Sequence, residues 1–142
     1  MIGVRGLRYT YSGADQPALR GLNFTVDAGE VFGFLGPSGA GKSTTQQVLI
    51  GLLDDYQGEA SVLGREVREW GPALYEQIGV SAETPNLYRK LTVREYLELF
   101  ASLHQQATRT TIKLLQLVGL GADADRRVGA YSKGMQMRLN FV

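Results

Sequence analysis

The sequence predicts an α/β fold, and three observations lead there. A continuously apolar run, VFGFL at 31–35, is followed by the glycine-rich GPSGAGKST and then by a helical pattern. Everything before that run reads as strand. Everything after about residue 88 reads as helix, so the expected layout is a strand-rich front of about 1–88 and a helical back of about 89–142.

At 142 residues the chain suits one domain with a real core. Fifteen Lys and Arg against fourteen Asp and Glu leave a net charge of +1, which gives no support for nucleic acid or a membrane surface as the main partner. Without cysteine, disulfides and thiolate metal sites are excluded. The opening MIGVRGLRYT lacks the form of a signal peptide, and no apolar run approaches a membrane span, so the expectation is a cytoplasmic protein.

The elements follow in order. VRGLRYTY alternates loosely, SGADQP is loop chemistry, and ALRGLNFTV is a second strand. DAGE is a turn that leads into VFGFL, whose unbroken apolar character predicts a strand buried on both faces. TTQQVLIGLL predicts a helix, while GEASVLG and IGVS predict short strands separated by a short helix at 72–77. Thr92 and Glu95 in TVRE form a capping-box pattern. Val93, Tyr96, Leu97, Phe100 and Leu103 then recur at helical spacing and predict one apolar face. A second helix is expected from Thr108 to Val118, stopped by Gly119, and a third is expected to begin at Ser132.

GPSGAGKS fits the pattern G-x-x-x-x-G-K-[ST], with Gly36, Gly41, Lys42 and Ser43 in the defining places. Successive backbone N–H groups must turn inward to cup a phosphate, and glycine reaches the required angles cheaply. The loop must then open a helix whose positive end faces the same anion. Lys42 supplies a mobile charge for the terminal phosphates, and the Ser43 hydroxyl is suited to Mg²⁺. The cradle therefore comprises Gly36, Pro37, Ser38, Gly39, Ala40, Gly41, Lys42, Ser43 and Thr44. LIGLLDD imitates an apolar strand that ends in metal-holding carboxylates. Asp54, however, lies eleven residues beyond Ser43 in what should be one helix, about 16 Å away at the wrong end of the dipole. Asp54 and Asp55 are read as a solvated helix terminus.

With the cradle in place, the whole chain resembles the ATP-binding subunits of ABC transporters. The resemblance implies a P-loop NTPase fold: a RecA-like core with an antiparallel β subdomain and a helical subdomain, here one partial nucleotide-binding domain. LRYTYSG looks like the family's aromatic loop, whose ring stacks on adenine; Tyr11 is the first choice and Tyr9 the second, against a plain cross-strand tyrosine. IGVSAETPNLYRKLTVREYL is similar to the family's Q-loop, with Glu83 where glutamine is usual. A carboxylate there would bind the metal more strongly than an amide but repel the γ-phosphate when the metal is absent. Glu83 is accordingly read either as a catalytic and metal-binding group or as an ordinary loop carboxylate. YSKGMQMR resembles the signature motif LSGGQ in the form seen in many drug and antibiotic exporters. Ser132 and Gly134 match, while Lys133 and Met135 replace a glycine and a glutamine. The resemblance implies that Ser132 to Met135 act on the γ-phosphate held by the opposite subunit of a head-to-tail dimer, against a serine that merely caps its helix.

The family continues past this point with an apolar strand ending in Asp and Glu, and later a strand ending in His. None of these is present, and His104, the lone histidine, is read as a surface or packing residue. The expectation is a truncated domain, cut before the Walker B strand, that binds MgATP with little or no hydrolysis and leaves VFGFL with open edges. Its parent is expected to hydrolyse MgATP with Lys42 at a dimer interface. It would drive export through membrane-spanning partner subunits, on the inner face of the membrane, with no nucleic-acid partner. A nucleotide-gated interaction module without turnover is the alternative. A small phosphate-loop kinase ranks below both, since LTVREYLELFASLH looks like packing rather than an arginine-rich lid.

Overall fold

Strand β1 (Ile2–Tyr9) pairs with both β2 (Leu19–Val26) and β3 (Gln57–Val62) in antiparallel register. With the short β4 (Arg65–Glu66), they form a four-stranded sheet in the order β2-β1-β3-β4. The computed structural model describes residues 1–81, 86–104 and 110–142. These form two compact units, Met1–Gln77 and Ile78–Val142.

The loose alternation of β1 has a cause in the pairing. Val4 faces Phe24 and Leu7 faces Leu22, so one extra residue is accommodated on β1, at a shift that spans Gly6. That bulge carries the buried face from Val4 to Leu7 across an odd interval. Leu19, Val26, Ala60 and Val62 complete the buried side of the sheet, with Val48 and Leu49 of α1 (Lys42–Leu49) and with Val67 and Leu74 also in the core.

Helix α1 stops earlier than the apolar pattern suggested. Gly51 takes a positive φ of 73°, its N–H bonds to Val48 O at 3.0 Å, and Leu52 N–H bonds to Gln47 O at 2.9 Å. That is a Schellman ending. Asp54 and Asp55 are exposed in the loop beyond it, not on one continuous helix. The polar linker is held by Tyr56, which is buried. Its hydroxyl donates to Glu66 Oε1 at 2.5 Å, and the Arg68 guanidinium lies 3.8 Å over its ring. Burial, followed by the adjacent Glu66 carboxylate, pushes the phenol's pKa well above the usual value.

The expected buried strand at 31–35 does not form. Val31 is 98% exposed and Leu35 96% exposed, while Phe32 and Phe34 gather on Phe24 with ring centroids 5.3 and 5.2 Å away. A strand that is apolar on both faces needs a neighbour along each edge, and the sheet of described residues offers it none. IGVS at 78–81 likewise forms no strand, and the short helix after β4 is a pair of 3₁₀ turns, Val67–Glu69 and Gly71–Glu76.

The second unit is helical: α2 (Val93–Ala101), α3 (Thr111–Leu117) and α4 (Lys133–Leu139). The capping box is complete. Thr92 N–H donates to Glu95 Oε2 at 2.7 Å and Glu95 N–H donates to Thr92 Oγ1 at 3.2 Å. The same Thr92 backbone N–H, and then its hydroxyl, hold the Glu95 carboxyl below its usual pKa. Of the predicted apolar face, Val93, Tyr96 and Leu97 are buried. Phe100 remains exposed, as does Leu103, which lies beyond the helix end. The segment 124–129 docks on the start of α2 through Val93 N–H to Arg126 O and Val128 N–H to Leu91 O. The start expected at Thr108 for the next helix lies outside the described residues. Its end is as expected, with Gly119 N–H on Gln116 O and Leu120 N–H on Leu115 O. The core of the unit is Val93, Tyr96, Leu97, Leu115, Leu120, Val128, Tyr131 and Leu139, with Ala124. Thr92→Ala removes the side-chain acceptor of the box and the hydroxyl that donates to Glu95, and leaves Glu95 only the backbone N–H of residue 92. The expected loss is about 1 kcal/mol by urea denaturation, with the transition slope unchanged.

Candidate nucleotide-binding site

Between the Phe24 cluster and α1, the glycine-rich loop follows the path the motif requires. Gly36, Gly39 and Gly41 all have positive φ, at 153°, 81° and 84°. Gly41 is the N-cap of α1, left-handed and without a side-chain cap, and no acidic residue sits in the first turn. The first intrahelical bond is Thr45 N–H to Gly41 O at 2.8 Å. The amides of Lys42, Ser43 and Thr44 therefore have no intrahelical acceptor. A helix that begins with neither cap nor carboxylate presents free N–H groups and an uncancelled dipole, which is what an anion completes.

Gly41 is required for a second reason. A Cβ on it would stand 2.6 Å from Leu19 Cδ2 and 2.7 Å from Ala18 O, so the start of β2 is pressed against the loop. Ala18 itself is fixed by its N–H on Tyr9 O at 2.8 Å. Lys42 curls back over its own loop. Its Nζ donates to Gly36 O at 2.8 Å and Pro37 O at 2.7 Å, so the ammonium is stationed at the cradle. An ammonium has three protons, and these two bonds leave the third for a further acceptor. Ser43 is exposed on the first turn. Among the described residues, no group of three His, Asp or Glu is arranged to hold a metal. The exposed Ser43 hydroxyl would offer a divalent cation beside a bound phosphate one hard oxygen ligand, of the kind that suits Mg²⁺.

The aromatic loop reaches the same place. The Tyr11 hydroxyl lies 3.1 Å from Thr44 Oγ1 and 3.1 Å from Gln47 Oε1, and the residue remains 41% exposed. Tyr9 meets it edge-on at 4.9 Å. The sequence points to Tyr11 and the cradle but not to Gln47, which follows Thr44 by three residues on the same face of α1.

Ser132, Lys133, Gly134 and Met135 belong to the second unit. Ser132 is the N-cap of α4 and its Oγ accepts from Met135 N–H at 3.3 Å. A hydroxyl that accepts still has its proton to give. Ser132, Lys133 and Gly134 are exposed, and a Cβ at Gly134 would meet nothing within 4 Å. Tyr131 beside them is buried and donates to Asp123 O at 2.9 Å. His104 is exposed. Glu83 lies outside the described residues.

Among the described residues, no helix is long and apolar enough to cross a membrane. Comparison with known proteins agrees with the geometry. The ABC transporter family model matches residues 19–142. The fluoroquinolones export ATP-binding protein of Mycobacterium tuberculosis is 60% identical over 141 residues, which are 99% of this chain and 47% of that protein. The chain thus spans about half the length of that relative. Among solved structures, the ATP binding subunit of an ABC transporter matches with a TM-score of 0.82 at 29% identity, over 99% of this chain and 59% of that one. A dimeric ATP-binding cassette, captured in a post-hydrolysis state with ADP and Pi, matches with a TM-score of 0.76 at 25% identity, over 99% of this chain and 67% of the other. The chain belongs to the ABC transporter family, and its fold is that of the family's ATP-binding P-loop NTPase subunits.

Proposed function

We propose that the chain is the nucleotide-binding part of a subunit that binds and hydrolyses MgATP to drive export. The uncapped, carboxylate-free start of α1, with Lys42 stationed over it, is the observation that carries this reading. Gly36 to Thr44 hold the phosphates, Ser43 takes Mg²⁺, and Tyr11 offers a face for adenine. Residues 1–88 act as the β subdomain with part of the phosphate-loop core, and 89–142 as the helical subdomain. Ser132 to Met135 serve a second subunit in a head-to-tail dimer, where the spare Ser132 proton and the α4 amides meet its γ-phosphate. Membrane-spanning partners receive the resulting motion, which puts the protein at the cytoplasmic face of the membrane. The export direction is supported by the exporter-like YSKGM and by the fluoroquinolones export relative.

Hydrolysis needs a group that activates water. Glu83 is the one candidate within the chain, as a metal-binding or water-orienting carboxylate. For these 142 residues alone, the reading is binding with little or no turnover. A module gated by ATP without hydrolysis at any length is the second reading. Turnover measured on the chain, on Lys42→Ala and on a chain extended past Val142 decides between them. The proposal expects turnover only in the extended chain. Turnover in the short chain that Lys42→Ala abolishes would make Glu83 the activating group. Silence in both lengths would favour the gated module.

A further inference from the structure

The hydroxyl of Tyr11 is engaged inside the protein, which a ring that only stacks would not need. It donates to Gln47 Oε1 at 3.1 Å. A phenol has one proton, so its second contact, 3.1 Å to Thr44 Oγ1, makes the threonine the donor. The result is a directed chain, from Thr44 to Tyr11 to Gln47.

Thr44 behaves unlike its neighbour. A helical threonine commonly returns its hydroxyl to the carbonyl four residues back, as Thr45 does to Gly41 O at 2.9 Å. Thr44 is also buried, yet its hydroxyl goes out to Tyr11. The backbone amide of the same Thr44 is one of the three unpaired amides at the helix start. One residue thus touches the anion site through its main chain and the aromatic ring through its side chain. The ring is held at its polar end by α1 and stands perpendicular to the Tyr9 ring 4.9 Å away, while the residue stays partly exposed to solvent.

We propose that Gln47 and Thr44 are positioning residues for nucleobase recognition. Their hydrogen bonds hold the Tyr11 ring beside the phosphate cradle before any ligand arrives. Ordering a free surface ring would otherwise oppose binding, and fixing it in advance removes that cost. The inference rests on the reading of Tyr11 as the surface that meets the base.

The test is to titrate MgATP, and separately magnesium tripolyphosphate, which has no base. Both go into the chain, Gln47→Leu, Tyr11→Phe, the double variant and Tyr11→Ala. Gln47→Leu removes one of the ring's two neutral hydrogen bonds and Tyr11→Phe removes both, so each should weaken MgATP about three- to tenfold, Tyr11→Phe at least as much as Gln47→Leu, and leave tripolyphosphate within about twofold. The double variant should be no weaker than Tyr11→Phe alone, because Tyr11→Phe already removes the bond to Gln47. Equal losses for both ligands, or unchanged MgATP affinity in Gln47→Leu, would overturn the positioning role. Tyr11→Ala separates the two levels. If it weakens MgATP while Gln47→Leu does not, only the positioning role fails. If Tyr11→Ala binds MgATP normally, the reading of Tyr11 as the base platform fails and the inference fails with it.

Discussion

Lys42→Ala lowers the affinity for MgATP by at least about 100-fold, equivalent to about 2.7 kcal/mol. Charge-assisted hydrogen bonds are worth about 1.5–3 kcal/mol each. The substitution removes the one expected to reach the terminal phosphates, together with the two that tie the ammonium to Gly36 and Pro37. The loss therefore has two parts, a missing charge and a loop no longer drawn over it. Lys42 contributes nothing to the buried core, so the urea midpoint of the ligand-free chain should move little. Titration calorimetry on the two proteins checks this. Similar affinities would mean that the phosphates lie elsewhere.

Gly41→Ala has the largest expected effect on folding and also weakens nucleotide binding. Two costs add. At φ 84° an alanine is strained by about 1–2 kcal/mol. Its Cβ would also stand 2.6 Å from Leu19 Cδ2 and 2.7 Å from Ala18 O. Neither neighbour can yield easily, because Leu19 is in the core and Ala18 is backbone, hydrogen-bonded to Tyr9. Overpacking of this kind adds about 1–3 kcal/mol, so the sum is about 3 kcal/mol. Gly39→Ala is the control. Its φ is 81°, but a Cβ there meets nothing within 4 Å, so only the backbone strain of about 1–2 kcal/mol remains. Urea denaturation of both variants should separate the two costs. Equal losses would show that the contact with β2 is unimportant.

What the sequence made legible was local chemistry. The capping box at Thr92, the stop at Gly119 and the Ser132 cap each depend on residues within one turn, and all three have the geometry expected. The cradle is similarly local. The apolar runs were harder to read because their outcome depends on distant partners. VFGFL has the composition of a buried strand, yet the described sheet gives it no neighbour, and it lies exposed apart from its aromatic contacts. LIGLL looked like more of α1, but Gly51 ends the helix there, and that glycine was visible in the sequence. Phe100 matched the helical period of α2 without being buried, since periodicity names a face but not what covers it. Gln47 was overlooked because its role comes from Tyr11, thirty-six residues earlier. No pattern within a single element contains that pairing.

The central claim is that the free amides at the start of α1 receive the nucleotide's phosphates. Two-dimensional amide NMR of the isotope-labelled chain, recorded while MgATP is added, tests it most directly. The account predicts that the largest shifts fall on Gly39, Gly41, Lys42, Ser43 and Thr44, with the Gln47 side-chain amide responding alongside them. It also predicts that the same peaks stay still in Lys42→Ala at the same concentration. Saturable shifts clustered elsewhere, with those amides unmoved, would contradict it.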